Sequence, residues 1–283
     1  QAEDGIRDYK VTGVQTCALP IFGDFDIHVL TLGSGPAVVF LHGSGPGASA
    51  YSNFKQNIDA VVDAGCQAIL VDMIGFGYSS KPTDRDYTTE LFAATTKAAL
   101  DGLGVQRCTL VGNSLGGAIC IRLALDRPDW VERLVLMAPG GIEERETYFA
   151  MPGIAKMVSA FVDGALDREG LTKVLHTLVH DKSLITPELV EERFCILETQ
   201  PPEVLSRMVI PSMADELGAL GCPVFGFWGE QDEMTPVSGA HKFLRQCAQC
   251  QFLVLASCGH WVMLEHTRLF NSMLGQILNR HGH

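Results

Sequence analysis

Basic residues are scarce in this chain: 21 Lys and Arg stand against 33 Asp and Glu, giving a formal net charge of -12 and a pI near 5.1. No basic cluster offsets that balance, so phosphate backbones and anionic membrane surfaces are repelled and nucleic acid is excluded as a partner. Long apolar runs are also missing. Nothing approaches the roughly 20 consecutive apolar residues that cross a bilayer, so no membrane span is expected. Repeats and low-complexity tracts are absent as well.

A cysteine framework is lacking. The nine cysteines are odd in number and scattered from Cys17 to Cys258, unlike the compact spacing of small secreted domains. A reducing cytoplasm fits them. Cys247 and Cys250 form a C-x-x-C, but no second C-x-x-C or His pair completes a zinc site, and no redox-domain pattern surrounds them. They read as structural, and no metal is expected. The first 21 residues, QAEDGIRDYKVTGVQTCALPI, lack the basic start, apolar middle and cleavage site of a secretory signal. They resemble translated adapter-derived segments at the ends of assembled environmental reads. Residues 1–21 are therefore expected to be non-native or disordered, the alternative being a native extension leading into the first strand.

What is present is enough for one large core, since 47% of the 283 residues are hydrophobic. Short β-branched apolar runs near 37–42, 67–73, 107–112, 131–139, 222–229 and 251–257 alternate with helical patterns near 51–64, 88–103, 115–126, 237–247 and 267–280. That rhythm predicts an α/β fold with a mostly parallel sheet joined by right-handed crossovers, and an antiparallel edge near 22–32. It breaks over 142–211, where apolar residues recur at helical spacing with no strand-like run. This predicts a core of 22–141 and 212–283 with a helical lid, 142–211, over the carboxyl edge of the sheet.

Gly112-Asn113-Ser114-Leu115-Gly116 is a G-x-S-x-G at the end of a predicted strand and the start of a predicted helix. A tight strand-to-helix turn there needs small neighbours and lifts the serine hydroxyl above the sheet, at the positive end of the helix. A serine hydroxyl is a poor nucleophile without a base, itself oriented by a carboxylate. Asp232, in FWGEQDEMTP, and His260, in CGHWVMLEH, each follow a later strand, giving the chain order Ser, Asp, His. Ser114, Asp232 and His260 are the candidate triad. Glu230 and Glu233 flank the acid and His266 follows the base, and these read as solvated loop acids and a helix-face histidine. LHGSGPGASAYSN, 41–53, lets the backbone turn near a ligand, and Ser44 and Leu115 are the candidate oxyanion-hole amides. It lacks the Walker Lys-Ser/Thr and the spacing of a dinucleotide loop.

These motifs resemble the α/β-hydrolase superfamily and, within it, the meta-cleavage product hydrolases, over about residue 22 to the end. The likeness rests on HGSGPGASAYSN, DMIGFGYSSKP (72–82), VGNSLGGA, LVLMAPGG (134–141), DKSLITPELVEERF and CGHWVMLEH. The resemblance implies a 2-hydroxy-6-oxohexa-2,4-dienoate substrate, cleaved by water at a carbon-carbon bond to 2-hydroxypenta-2,4-dienoate and a carboxylic acid. It implies no cofactor, a homodimer or higher homo-oligomer, and substrate contacts from Asn53, Asn113, Arg193 and Trp261. Arg193 has a surface ion pair as its plain alternative, Asn113 a turn-stabilising role and Trp261 core packing. Many relatives place a basic residue after Trp-Gly, where this chain has Glu230 and Gln231. A serine carboxylesterase with the same triad and a ligand-sensing receptor on the same fold are the competing readings. Dehalogenases and epoxide hydrolases of this fold carry aspartate in place of Ser114.

Overall fold

A computed structural model describes residues 15–22, 25–162, 164 and 166–279. Among the described residues ten strands form in chain order: β1 (Gln15–Phe22), β2 (Phe25–Leu32), β3 (Ala37–Leu41), β4 (Gln67–Val71), β5 (Tyr87–Thr88), β6 (Cys108–Asn113), β7 (Val131–Met137), β8 (Met208–Val209), β9 (Val224–Gly229) and β10 (Cys250–Leu255). The helices are α1 (Ala50–Phe54), α2 (Ile58–Asp63), α3 (Thr89–Gly102), α4 (Leu115–Asp126), α5 (Arg145–Phe149), α6 (Pro152–Val162), α7 (Arg168–His176), α8 (Pro187–Leu197), α9 (Glu203–Ser206), α10 (Ser238–Gln246), α11 (Val262–Glu265) and α12 (Thr267–Leu278).

Eight strands make one sheet in the order β1-β2-β4-β3-β6-β7-β9-β10. The pairs β1–β2 and β2–β4 are antiparallel and all the others parallel. From β3 the chain goes first to β4 on one side and then to β6 on the other. That reversal opens the crevice in which doubly wound sheets hold ligands, directly above the ends of β3 and β6.

Alternation along the strands explains the layers. In β3, Val39 and Leu41 face the layer that holds Phe92 and Leu100 of α3 and Ile119 and Leu123 of α4. Val38 and Phe40 face the opposite layer, with Phe54, Val61, Phe270 and Leu274. A central strand buried on both faces must be apolar at every position, which is why these runs are continuous rather than alternating. Each fully buried Val, Leu, Ile or Phe contributes about 1.5–3 kcal/mol, so the two layers supply most of the driving force.

Two features differ from the sequence reading. The end of the segment expected to be non-native or disordered is a strand: Gln15–Phe22 pairs antiparallel with β2 from Gln15↔Thr31 to Phe22↔Phe25. The open edge of β2 offers backbone donors and acceptors that an extended segment satisfies whatever its side chains. Residues 1–14 lie outside the described residues. Within 142–211, β8 pairs parallel with β5 through Tyr87↔Met208 and Thr88↔Val209, where no strand was predicted. Two residues are too short for any periodicity to show. Otherwise 142–211 is helical and rests on loops leaving the carboxyl ends of β3, β9 and β10. Gly47 N–H donates to Gln200 Oε1 (2.9 Å), Gly153 N–H to the Glu233 carbonyl (2.8 Å) and Trp261 N–H to the Leu178 carbonyl (3.1 Å).

Glycine is required where α4 meets β3. A Cβ on Gly116 would lie 2.0 Å from the Leu41 carbonyl oxygen, and one on Gly112 2.6 Å from that of Gly116. Gly116→Ala should therefore cost about 3 kcal/mol or more through forced separation of helix and strand, lowering Tm by roughly 6–10 °C. Gly275→Ala in α12, where a Cβ meets nothing within 4 Å, should be neutral or stabilising by up to about 1 kcal/mol. Calorimetry of the two variants checks both signs.

Candidate active site

Ser114 sits at the junction of β6 and α4 with φ 55 and ψ -118, a region that L side chains rarely occupy. Three backbone bonds hold it there: Ser114 N–H to the Met137 carbonyl (3.0 Å), and Gly140 N–H (2.8 Å) and Ala118 N–H (3.1 Å) to its own carbonyl. Between Cys108 and Ile121 Ser114 alone is not buried. The fold spends strain to expose one hydroxyl at the N-terminus of a 12-residue helix.

Asp232 and His260 meet below the surface, with side chains 1% and 2% exposed and Oδ2 2.7 Å from Nδ1. The carboxylate is held by four partners. Oδ1 accepts from Met234 N–H (2.7 Å) and Thr235 N–H (3.0 Å), and Oδ2 from Thr235 Oγ1 (2.9 Å) as well as facing the ring. An ionised carboxylate only accepts, so Nδ1 carries the proton and Nε2 is left as the basic nitrogen. Asn113 ties this loop to the serine turn, its Nδ2 donating to the His260 carbonyl (3.3 Å) and the Met137 carbonyl (3.1 Å). The flanking acids go elsewhere, Glu233 pairing with Lys156 at 2.9 Å and Glu230 standing exposed. His266 caps the junction of α11 and α12 rather than lying on a helix face.

The loop after β3 passes close to the serine, since a Cβ on Gly43 would touch the Ser114 Cβ at 3.3 Å. Neither Ser44 N–H nor Leu115 N–H donates to a protein acceptor among the described residues. Over this loop lies Arg193 of α8, 1% exposed, where sequence alone left open a surface ion pair. Its Nη1 donates to the Pro46 carbonyl (3.2 Å), its Nη2 to Asn53 Oδ1, and the Trp261 ring lies 4.7 Å from the guanidinium carbon. Burial pushes the guanidinium down to about 10, still charged at neutral pH. Its neighbour Glu192 is taken by Lys55 at 2.5 Å. Arg193 Nε and Asn53 Nδ2 are both buried with no partner, as are Asn113 Oδ1 and Gln200 Nε2. Buried polar groups are normally satisfied. Three unused donors, Arg193 Nε, Asn53 Nδ2 and Gln200 Nε2, and one unused acceptor, Asn113 Oδ1, stand out against that rule.

Several contributors escaped the sequence reading. Glu265 accepts from Gly259 N–H (2.5 Å), His180 N–H (2.7 Å) and Asp181 N–H (3.0 Å), clamping the His260 loop to the helical segment. Gln231, noted only as a departure from relatives, accepts from Cys258 N–H (3.0 Å) and joins the acid and base loops. Gln200 fixes Gly47. Their one sequence signal is proximity to the motifs. Behind the loop, His28 Nδ1 lies 2.8 Å from Asp72 Oδ2, which also accepts from Tyr78 N–H (3.1 Å), while Oδ1 accepts from Ala50 N–H (2.7 Å). Burial raises the Asp72 carboxyl, but His28 and the backbone amide outweigh it and hold it below the usual range. Burial lowers the fully enclosed His42 against the pull of Asp72. The eight cysteines whose side chains are described are free thiols. Cys247 Sγ donates to the Leu217 carbonyl and is pushed up to about 12 by burial, in keeping with a structural role. No group of three or more His, Cys, Asp or Glu among the described residues could hold a metal ion, and no helix among them is long and apolar enough to cross a membrane.

A strained serine turn on a mostly parallel sheet, with an Asp-His pair from the last two strands, defines an α/β hydrolase, and the α/β hydrolase fold model matches residues 36–267. The chain is 34% identical over 260 residues to the 2-hydroxy-6-oxononadienedioate/2-hydroxy-6-oxononatrienedioate hydrolase of Comamonas testosteroni, covering 88% of this chain and 90% of the relative. It is 33% identical, with the same coverage, to the 2-hydroxy-6-oxo-6-phenylhexa-2,4-dienoate hydrolase of Burkholderia cepacia. A meta-cleavage product hydrolase from Pseudomonas fluorescens IP01 has a similar structure, with a TM-score of 0.81 at 24% identity over 94% of this chain and 97% of that one. The chain belongs to the α/β-hydrolase family and, within it, to the meta-cleavage product hydrolases.

Two measurements follow from this geometry. Arg193→Met removes a buried cation with no carboxylate partner, so Tm should hold or rise, by up to about 1–2 kcal/mol of stability; a fall of several degrees would mean that its bonds to Pro46 and Asn53 outweigh its desolvation. His42 binds a proton less readily folded than unfolded, so its contribution is complete above its ordinary value of 6.5 and is lost as pH falls below that toward the folded value. Asp72 loses its contribution only below its ordinary 3.8. Urea unfolding between pH 6.5 and 4.5 should therefore show a shallower decline for His42→Asn than for wild type, and equal slopes would contradict the assignment.

Proposed function

We propose that this protein hydrolyses the C5–C6 bond of a 2-hydroxy-6-oxohexa-2,4-dienoate, giving 2-hydroxypenta-2,4-dienoate and a carboxylic acid, in the breakdown of ring-opened aromatic compounds. The observation that carries this reading is the buried, unpaired Arg193 with the idle donor of Asn53 beside it. A plain ester needs no such feature, whereas a dienoate presents a planar carboxylate that a guanidinium matches with parallel hydrogen bonds. The relatives at 33–34% identity act on dienoates of this type.

In this reading Arg193 and Asn53 hold the substrate carboxylate, Trp261 packs alongside, and Asn113 Oδ1 receives a hydrogen bond from an oxygen substituent. A proton must first reach C5, so that the C5–C6 electron pair departs into a conjugated ketone rather than an unsupported carbanion. His260 shuttles that proton. Ser114 Oγ then attacks the C6 carbonyl, passing its proton to His260 Nε2 while Asp232 retains Nδ1–H. Ser44 N–H and Leu115 N–H receive the negative charge on the C6 oxygen, each worth about 100- to 1000-fold in rate. Water releases the carboxylic acid from the serine. Residues 142–211 serve as the lid, which keeps bulk water from the dienol. The reading includes a homo-oligomer acting in the cytoplasm, to which the free cysteines are suited.

Steady-state kinetics test it, following the loss of colour of 6-phenyl and 6-alkyl 2-hydroxy-6-oxohexadienoates beside turnover of p-nitrophenyl acetate. Serine-dependent bleaching is expected, abolished in Ser114→Ala. Arg193→Met should raise KM for the dienoate by about 100-fold or more, the loss of a charge-assisted pair, and leave p-nitrophenyl acetate within about threefold. Brisk ester cleavage without dienoate turnover would replace the reading with a carboxylesterase.

A further inference from the structure

Ser44 and Leu115 lie on different elements, and an oxyanion hole works only if their two amides are fixed relative to each other before the charge develops. His42 touches both arrangements. Its Nδ1 lies 2.7 Å from the Gly43 carbonyl oxygen, and its Nε2 accepts from Met73 N–H at 3.1 Å. Accepting that bond requires Nε2 to be unprotonated, so the single proton of the neutral ring is on Nδ1 and is donated to Gly43. Complete burial keeps the ring neutral against the nearby Asp72. The ring is further fixed edge-on against Phe76, with centroids 5.3 Å apart at 72°.

The carbonyl of Gly43 and the N–H of Ser44 belong to one planar trans peptide and point in opposite directions. Holding the carbonyl toward His42 therefore turns the N–H the opposite way, and this stretch of backbone passes beside the serine, since a Cβ on Gly43 would lie 3.3 Å from Ser114 Cβ. The second amide is fixed through the main chain of the same residue, since Gly116 N–H donates to the His42 carbonyl at 2.9 Å. That bond seats the first turn of α4, and with it Leu115 N–H, against the end of β3. His42 is 0% exposed, behind the loop, and out of reach of the substrate.

We propose that His42 is the positioning residue of the oxyanion hole, aiming Ser44 N–H through its ring and locating Leu115 N–H through its carbonyl. The proposal rests on the assignment of those two amides under the proposed reaction. Two substitutions divide the ring's two bonds. In His42→Asn, Nδ2 falls near the place of Nδ1 and still donates to Gly43, while Met73 N–H is left unpaired. In His42→Gln, Oε1 falls near the place of Nε2 and still accepts from Met73, while the Gly43 carbonyl is released. Each leaves one buried backbone group without a partner, so their losses in Tm should be similar.

The readouts are kcat and KM on the dienoate, and the second-order rate at which a fluorophosphonate labels Ser114, which draws on the oxyanion hole whatever the natural substrate. His42→Gln should lose about 30- to 100-fold in both kcat and labelling rate with KM within about twofold, a large part of one donor's worth. His42→Asn should retain both within about threefold. Equal losses in the two variants, or a fully active His42→Gln, would overturn the proposal. If the wild type labels normally but bleaches no dienoate, the substrate reading fails while the labelling comparison still decides the role of His42. Should neither variant fold, the 15N spectrum of the wild-type imidazole decides it: protonation at Nδ1 is expected, and protonation at Nε2 would overturn it.

Discussion

The contact on which this structure depends is the approach of α4 to the end of β3. With only 2.0 Å between the Leu41 carbonyl oxygen and the place of a Gly116 Cβ, the helix starts almost on top of the strand. The chain can join β6 to such a helix only by a sharp turn, and the turn forces one residue into positive φ. That residue is Ser114. Its strain is a consequence of packing and is held by three backbone bonds, so the hydroxyl cannot relax away from the crevice. The same proximity lets the His42 carbonyl accept from Gly116 N–H, joining the serine turn to the loop after β3.

Around this rigid centre the polar groups divide into two kinds. Asp232 is saturated, with each oxygen accepting twice, and Asp72 is enclosed by His28 and two amides. Arg193 and Asn53 are the opposite, buried with donors unused. Saturated groups hold geometry, because any movement breaks a bond inside a low-dielectric interior. Unsaturated ones carry an unfavourable desolvation that no protein group among the described residues offsets.

Much of this was legible in the sequence. The strands announce themselves as continuous apolar runs because β3, β6 and β7 are covered on both faces, and G-x-S-x-G is readable because its glycines answer a steric need beside Leu41 and Cys120. Asp232 and His260 follow from where their strands end. The signals failed where a role depends on contacts across the fold. Nothing in LEH marks Glu265 as the acceptor of three backbone amides drawn from residues 180, 181 and 259. The strand at Gln15–Phe22 was missed because its pairing belongs to the open edge of β2. Arg193 could be read as a surface ion pair because its helix carries two glutamates just before it, and only burial shows that Glu192 pairs with Lys55 instead.

The helical segment is joined to the core unevenly. Beside His260 the attachment is dense: Trp261 N–H donates to the Leu178 carbonyl, and Glu265 ties Gly259 to His180 and Asp181. Lifting residues 178–181 would break three hydrogen bonds to the His260 loop and α11, from Trp261 N–H to the Leu178 carbonyl and from His180 N–H and Asp181 N–H to Glu265. Over α6, by contrast, the links to the acid loop are Gly153 N–H to the Glu233 carbonyl and an exposed Lys156–Glu233 pair, and an exposed pair of this kind is worth at most about 1 kcal/mol. Neither of these links involves His260, Arg193 or the groups bonded to them.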